Sequence, residues 1–318
     1  MSLALPLRLA PVRRLARFAL GGVLASALCA CATVEREPPA VPVAPVTVAQ
    51  PAPPRGPALW KVADEDTTIY LFGTVHALPA GIDWMDERIA AALASSGEFV
   101  TEVKTGPDSG ISAGFQSRAT LPPGRSLRAM LAGDDLAAYE GALASLGLPA
   151  SAFDRYEPWY AAMMLSLLPL MQQGYSAEAG VEDTLEARLA PQTQHDALET
   201  VDFQLGLFDG LPQESQIAYL REIIISLPEI KDTLDAMVAE WLQGDAEALA
   251  ALLQEGETDP VLFDRLVSAR NRNWADWIAQ RLDRPGTVFL AVGAGHLAGR
   301  DSVQDDLAAR GIAALRVP

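Results

Sequence analysis

The chain has 318 residues, half of them apolar, and a formal net charge of −17 at pH 7. That length and apolar content support one large folded domain. The acidity argues against nucleic acid and against an anionic membrane surface as partners.

Residues 1–31 read as a signal segment. Arg8, Arg13, Arg14 and Arg17 precede an apolar run from Phe18 to Leu28, too short for a permanent membrane span. Leu28-Cys29-Ala30-Cys31 is similar to a bacterial lipobox, which implies cleavage before Cys31 and lipidation of its thiol. Simple secretion with cleavage near the same point is the alternative. Removing residues 1–30 takes away four arginines and no acid, so the mature chain is more acidic still. At most one cysteine is left, which excludes a disulfide framework. Ala32 after the anchor, by its likeness to sorted lipoproteins, points to the outer membrane, facing the periplasm. One lipidated cysteine is an anchor in itself, so the membrane is reached through lipid alone.

Residues 32–57 form a stalk. Eight of the twenty residues from Pro38 to Pro57 are proline, a composition that stays extended and builds no core. The globular domain is expected over residues 58–318.

Leu59 to Val62 and Thr67 to Phe72 read as a strand hairpin turned at Asp64-Glu65-Asp66. Trp84 to Ala94 has helical spacing, and Glu98 to Val103 is the next strand. Helices dominate from Ser126 to about Gln280. Pro158 to Gln173 is almost wholly apolar and reads as a buried helix that Pro169 should kink or end. Amphipathic stretches follow at Glu214–Ser226, Ile230–Leu242 and Val261–Leu282, with a short strand possible at His195 to Leu198. The chain closes with strand Thr287–Val292, helix Asp301–Ala309 and strand Ile312–Val317. The fold expected is mixed α/β (α+β): a central mixed sheet from the N- and C-terminal strands, with a helical subdomain inserted at about 125–283.

Two strands run into the same pattern. Ile69–Phe72 leads to Gly73-Thr74-Val75-His76, and Phe289–Val292 leads to Gly293-Ala294-Gly295-His296. Two of the three histidines therefore follow glycines at strand ends, where open sheets bind ligands. Gly73 and Gly293 permit close approach of backbone to a ligand or cofactor. If the strands are neighbours, the imidazoles converge. With Glu102, at the end of the strand Phe99–Val103, they suit a divalent metal with open positions for water. Such water could attack a carbonyl. Alternatively each histidine caps a turn and Glu102 sits on an edge strand. His195, among Gln192, Gln194 and Asp196, reads as a surface or turn residue.

The run Phe72–Pro79, the strand with Glu102, and the ending Ala291–Leu297 resemble the TraB/GumN family. Leu198-Glu199-Thr200 with Gln204, and Arg270-Asn271 with Trp274, also fit its pattern. The resemblance implies a fold shared with Tiki-type metalloproteases, erythromycin esterases and the haem-binding lipoprotein ChaN. It implies a metal-dependent peptidase centre in which His76, His296 and Glu102 hold Mn, Co or Zn. Arg270 or Asn271 would polarise a carbonyl, or else form a helix-surface pair or cap. Glu182, in a loose version of the family's glycine–apolar–aspartate element, would be a second carboxylate, and it or Glu102 the general base. Lys104 stands where an acidic residue is usual. The substrate expected is a peptide or small molecule. Two other functions stay open: a lipoprotein binding haem, metal or a small molecule without turnover, and an envelope adaptor.

Overall fold

A computed structural model describes residues 56–104, 111–255 and 259–318. All of them fall in one unit, Pro51–Pro318. The signal segment, Cys31 and nearly all of the stalk lie outside the described residues.

Alternating apolar residues set the first two strands, β1 (Leu59–Ala63) and β2 (Thr67–Thr74), which pair antiparallel as the expected hairpin. After β3 (Leu78–Pro79), Asp86 accepts from the Arg88 and Ile89 amides and so starts α1 (Glu87–Ser95). The Trp84 end of the predicted helix is thus outside it. Then come β4 (Glu98–Thr101), α2 (Ile111–Arg118), α3 (Leu127–Met130), α4 (Gly133–Ser145) and α5 (Pro158–Gln172). Helix α5 continues through Pro169. Proline there removes one backbone bond, and three more helical residues follow it.

The chain continues with β5 (Tyr175–Ser176), α6 (Val181–Glu186), β6 (Gln194–Ala197), α7 (Val201–Asp209), α8 (Gln213–Ser226), α9 (Ile230–Gln243) and α10 (Ala246–Glu255). The stretch read as Val261–Leu282 is divided: α11 (Pro260–Phe263), a π-helical turn at Asp264–Ser268, then α12 (Ala269–Arg281). The last elements are β7 (Gly286–Gly293), a 3₁₀ turn at Ala294–Leu297, α13 (Val303–Ala309) and β8 (Leu315–Arg316). The final strand is shorter than expected.

The main sheet has the order β6-β4-β7-β2-β1-β8. Strands β6, β4, β7 and β2 run parallel, so their C-terminal ends share one edge. The N- and C-terminal strands are therefore neighbours, as the fold reading required. The inserted segment is not purely helical, because β6 joins the sheet beside β4 and β5 pairs with β3.

Of the parallel strands, β2, β4 and β7 are buried on both faces, while the edge strand β6 stays partly exposed. Phe72, Trp84, Phe99, Trp241 and Phe289 cluster on one face; Leu71, Val100, Trp274, Ile278 and Leu290 cluster on the other. Alternation along β2 and β7 sends successive residues to opposite cores. A third cluster, including Tyr139, Leu143, Leu165 and Leu220, holds the helical part together. At the interface of sheet and helices, α9 brings Trp241 to the first core and α12 brings Trp274 to the second.

Candidate functional site

Strands β2 and β7 pair with Gly73 opposite Val292 and Thr74 opposite Gly293. The two matching sequence patterns therefore lie side by side, staggered by one residue. Gly73 is needed for this fit: a Cβ there would stand 2.9 Å from Ala294 Cα, closer than real Cβ contacts. The Trp241 indole donates to Gly73 O at 2.8 Å and fixes the first turn from the helical side.

The patterns deliver their histidines into unlike surroundings. His76 has a side chain 72% exposed, and its Nδ1 lies 2.6 Å from Glu182 Oε1. Thr74 Oγ1 donates to the same carboxylate oxygen at 2.5 Å. An acceptor carboxylate implies that Nδ1 carries the proton. Gly180 makes this pairing possible, since a Cβ on it would stand 2.3 Å from His76 O. The Val181 amide donates to Val75 O at 3.1 Å and ties α6 to the turn. The hydrogen bond to Glu182 raises the His76 pKa to about 9, against the opposing effect of burial. Water on the open ring screens part of that rise. Burial works to raise the Glu182 carboxyl, but the hydrogen bond and charge of His76 prevail and lower it.

His296 is buried. Asn271 Nδ2 donates to Asp301 O at 2.7 Å, which orients the amide so that Oδ1 accepts from His296 Nδ1 at 2.6 Å. The imidazole proton is thereby on Nδ1. The Nε2 lone pair then accepts from Arg270 Nη1 at 3.0 Å. Trp274 packs against the ring at 4.4 Å between centroids. Burial lowers the His296 pKa to about 4, so the ring is neutral at pH 7.

Arg270 is the centre of a buried network. Nε donates to Glu199 Oε1, Nη1 to Leu266 O and His296 Nε2, and Nη2 to Glu102 Oε2 and Glu199 Oε2. All five N–H groups are engaged. Burial disfavours its charge, but the Glu199 hydrogen bonds and the charge of Glu102 outweigh this and raise the pKa. Gln204 Nε2 bridges Glu102 Oε2 and Glu199 Oε2, at 2.9 Å from each. The Gly293 amide donates to Glu102 Oε1 at 2.7 Å. Burial acts to raise the Glu102 pKa, yet neighbouring positive groups and the Gly293 amide bring it down to about 2. Of those groups His296 exerts the largest pull when charged, but it is neutral above about pH 4, so Arg270 carries the effect at pH 7.

These side chains come from the ends of the four parallel strands: His76 follows β2, His296 follows β7, Glu102 follows β4 and Glu199 follows β6. A Cβ on Gly293 would lie 3.2 Å from Glu102 Oε1, 3.6 Å from His296 Cδ2 and 3.8 Å from His76 Nε2. The space above Gly293 is the meeting point of the three residues singled out by sequence.

The TraB/PrgY/gumN family profile matches residues 58–315, from the first strand into the last. The chain belongs to this family. No curated protein and no solved structure matches it.

The expected metal set fits this geometry poorly. Both nitrogens of His296 are committed, Nδ1 as donor to Asn271 and Nε2 as acceptor from Arg270, which leaves no lone pair for a cation. Among the described residues, no group of three His, Cys, Asp or Glu is disposed to hold a metal ion. Gly73 O and the Gly293 amide are also engaged within the protein, so neither turn offers them to a cofactor.

Arg270 and Asn271 both belong to the site, not to the helix surface. Glu182 pairs with His76, while Lys104 reaches Asp196 at 3.4 Å, away from these groups. His195 sits within β6 instead of a turn, its ring 5.1 Å from Phe99 and its Nε2 3.3 Å from Thr101 Oγ1. Glu199, Gln204 and Trp274 fitted the family pattern without an assigned role; here Glu199 accepts from Arg270, Gln204 bridges Glu199 and Glu102, and the Trp274 indole donates to Glu199. Thr74 and Asp301 carried no sequence signal. Asp301 has a positive φ of 54°, a conformation that costs on the order of 1–3 kcal/mol and aims its carbonyl at Asn271.

Proposed function

We propose that this domain is a hydrolase of carbonyl compounds, with the peptide bond as the substrate class that the family resemblance implies, and with His76 as its acid–base group. The observation that carries this reading is the 2.6 Å contact of His76 Nδ1 with Glu182, on a ring otherwise open to water. A carboxylate on Nδ1 fixes the tautomer and leaves Nε2 facing the space above Gly293. There the ring, in the neutral form it takes as pH rises through about 9, accepts a proton from water as the oxygen attacks the carbonyl carbon. The imidazolium returns that proton to the leaving amine as the C–N bond breaks. Glu102 and Arg270 act as a fixed, mutually neutralised wall beside the reacting atoms.

A divalent ion (Mn, Co or Zn) shared by His76, His296 and Glu102 is the rival form of the same reading. It requires Arg270 to leave His296 Nε2. Hydrolysis of a peptide library by the purified chain, with and without chelator, separates the two. Loss of turnover in His76→Ala with chelator-insensitive parent activity is the result expected. Stoichiometric metal that disappears in His296→Ala would overturn the metal-free form. Haem uptake or adaptor binding that persists without turnover would overturn both. The same proposal places the domain on a lipid anchor at Cys31, at the periplasmic side of the outer membrane. Fatty-acid labelling lost in Cys31→Ala tests this.

A further inference from the structure

A second concavity lies behind the Arg270 network, between the end of β6, the start of α7 and one face of α12. Its volume is about 490 Å³, within the range of small-molecule sites. Trp277 and Phe203 line it, and Phe203 is 43% exposed. Asn273, Trp277 and Gln280 project along one helical face at i, i+4 and i+7, so the two amides are about 10 Å apart along the axis. Both amide side chains are exposed, and neither is hydrogen-bonded among the described residues.

The carboxylates in this groove already have arginine partners. Glu199 accepts from Arg270, Gln204 and Trp274, filling both oxygens. Asp276 is paired with Arg310 at 2.6 Å. The groove thus offers aromatic faces and free amides beside carboxylates that already have arginine partners, on a chain whose net charge of −17 repels anions. A cation would have to compete with Arg270 and Arg310 for these carboxylates, and a purely apolar ligand would strand the amides. Neutral, hydroxyl-rich rings satisfy both features: their C–H faces stack on Trp277 and Phe203, and their hydroxyls bridge Asn273 and Gln280.

We infer that this groove is a binding site for a short, uncharged oligosaccharide, distinct from the cleft at His76. It stands whether or not the domain hydrolyses anything. The test is titration of the full chain, purified in detergent, with maltotriose, cellotriose and tri-N-acetylchitotriose, read by tryptophan fluorescence and calorimetry. At least one sugar should bind saturably at millimolar concentration or below. Trp277→Ala should abolish binding, and the surface variants Asn273→Ala and Gln280→Ala, which leave the core untouched, should each weaken it about tenfold, roughly 1.4 kcal/mol. Absence of binding by all three sugars overturns the inference. So does binding that both amide variants leave unchanged, or displacement of the sugar by a competing apolar peptide.

Discussion

Arg270 Nη1 lies 3.0 Å from His296 Nε2, and the lone pair it occupies is the one a metal ligand would need. The same guanidinium holds Glu102 and Glu199, whose side chains are 12% and 6% exposed. Three strand ends are therefore held by one side chain from α12.

Replacing Arg270 with methionine should strand two buried carboxylates. The expected loss is about 3–5 kcal/mol of stability, read from the denaturant midpoint at constant slope. Arg270→Lys should recover little, because an ammonium lacks the planar fork that reaches Glu199 by two bonds and Glu102 and His296 besides. Full recovery by lysine would mean that charge alone matters here.

Acid should loosen this network in two stages. His296 has its folded pKa depressed to about 4 from 6.5, so its contribution is complete above 6.5 and lost as pH falls through about 4. The physical cause is direct: a proton on Nε2 would face the Arg270 guanidinium. Glu102, depressed to about 2 from 4.5, contributes above 4.5 and loses its contribution as pH falls through about 2. Stability measured from pH 7 to 3 should decline first through His296, and His296→Gln should flatten that first stage. An unchanged pH profile in the variant would contradict the assignment.

His76 should behave in the opposite sense. Its folded pKa is raised, so its pairing with Glu182 stabilises fully below 6.5 and fades as pH rises through about 9. Proton NMR titration can follow this, since there are only three histidines to assign. Glu182→Gln should lower the His76 pKa toward 6.5 and move the alkaline rise of any hydrolytic rate with it.

Gly180→Ala places a methyl carbon 2.3 Å from His76 O. Backbone meets backbone there, so α6 must retreat and Glu182 with it. Overpacking of this kind costs about 1–3 kcal/mol. The diagnostic readout is a fall in the His76 pKa resembling that of Glu182→Gln.

Trp241→Phe keeps most of the aromatic cluster but leaves Gly73 O without its donor. A loss of about 1–3 kcal/mol is expected in thermal or chemical unfolding, with the His76 titration little changed.

Much of this architecture was legible from periodicity. Apolar runs at both ends gave the paired central strands, and the twin glycine–histidine patterns marked one edge of the sheet, where they lie side by side. What periodicity cannot encode is the commitment of lone pairs. His76 and His296 look equivalent in sequence, yet one is open and held by an acid, while the other is buried between an amide and a guanidinium. That difference depends on Glu182 and Arg270, 106 and 26 residues away from their histidines. The break at Asp264–Ser268 was equally hidden, since its residues have ordinary helical character and only packing selects the wider π turn. Pro169 misled in the other direction: the helix runs on to Gln172 although proline lacks the N–H for one of its backbone bonds.

β7 stands in the middle of the sheet, flanked by β4 and β2. A chain lacking that segment would present two raw strand edges and would lose the Gly293 amide that holds Glu102. Closure of the sheet must therefore wait until residues 286–293 have been made. Truncations near the C-terminus should yield aggregates, not weakened domains.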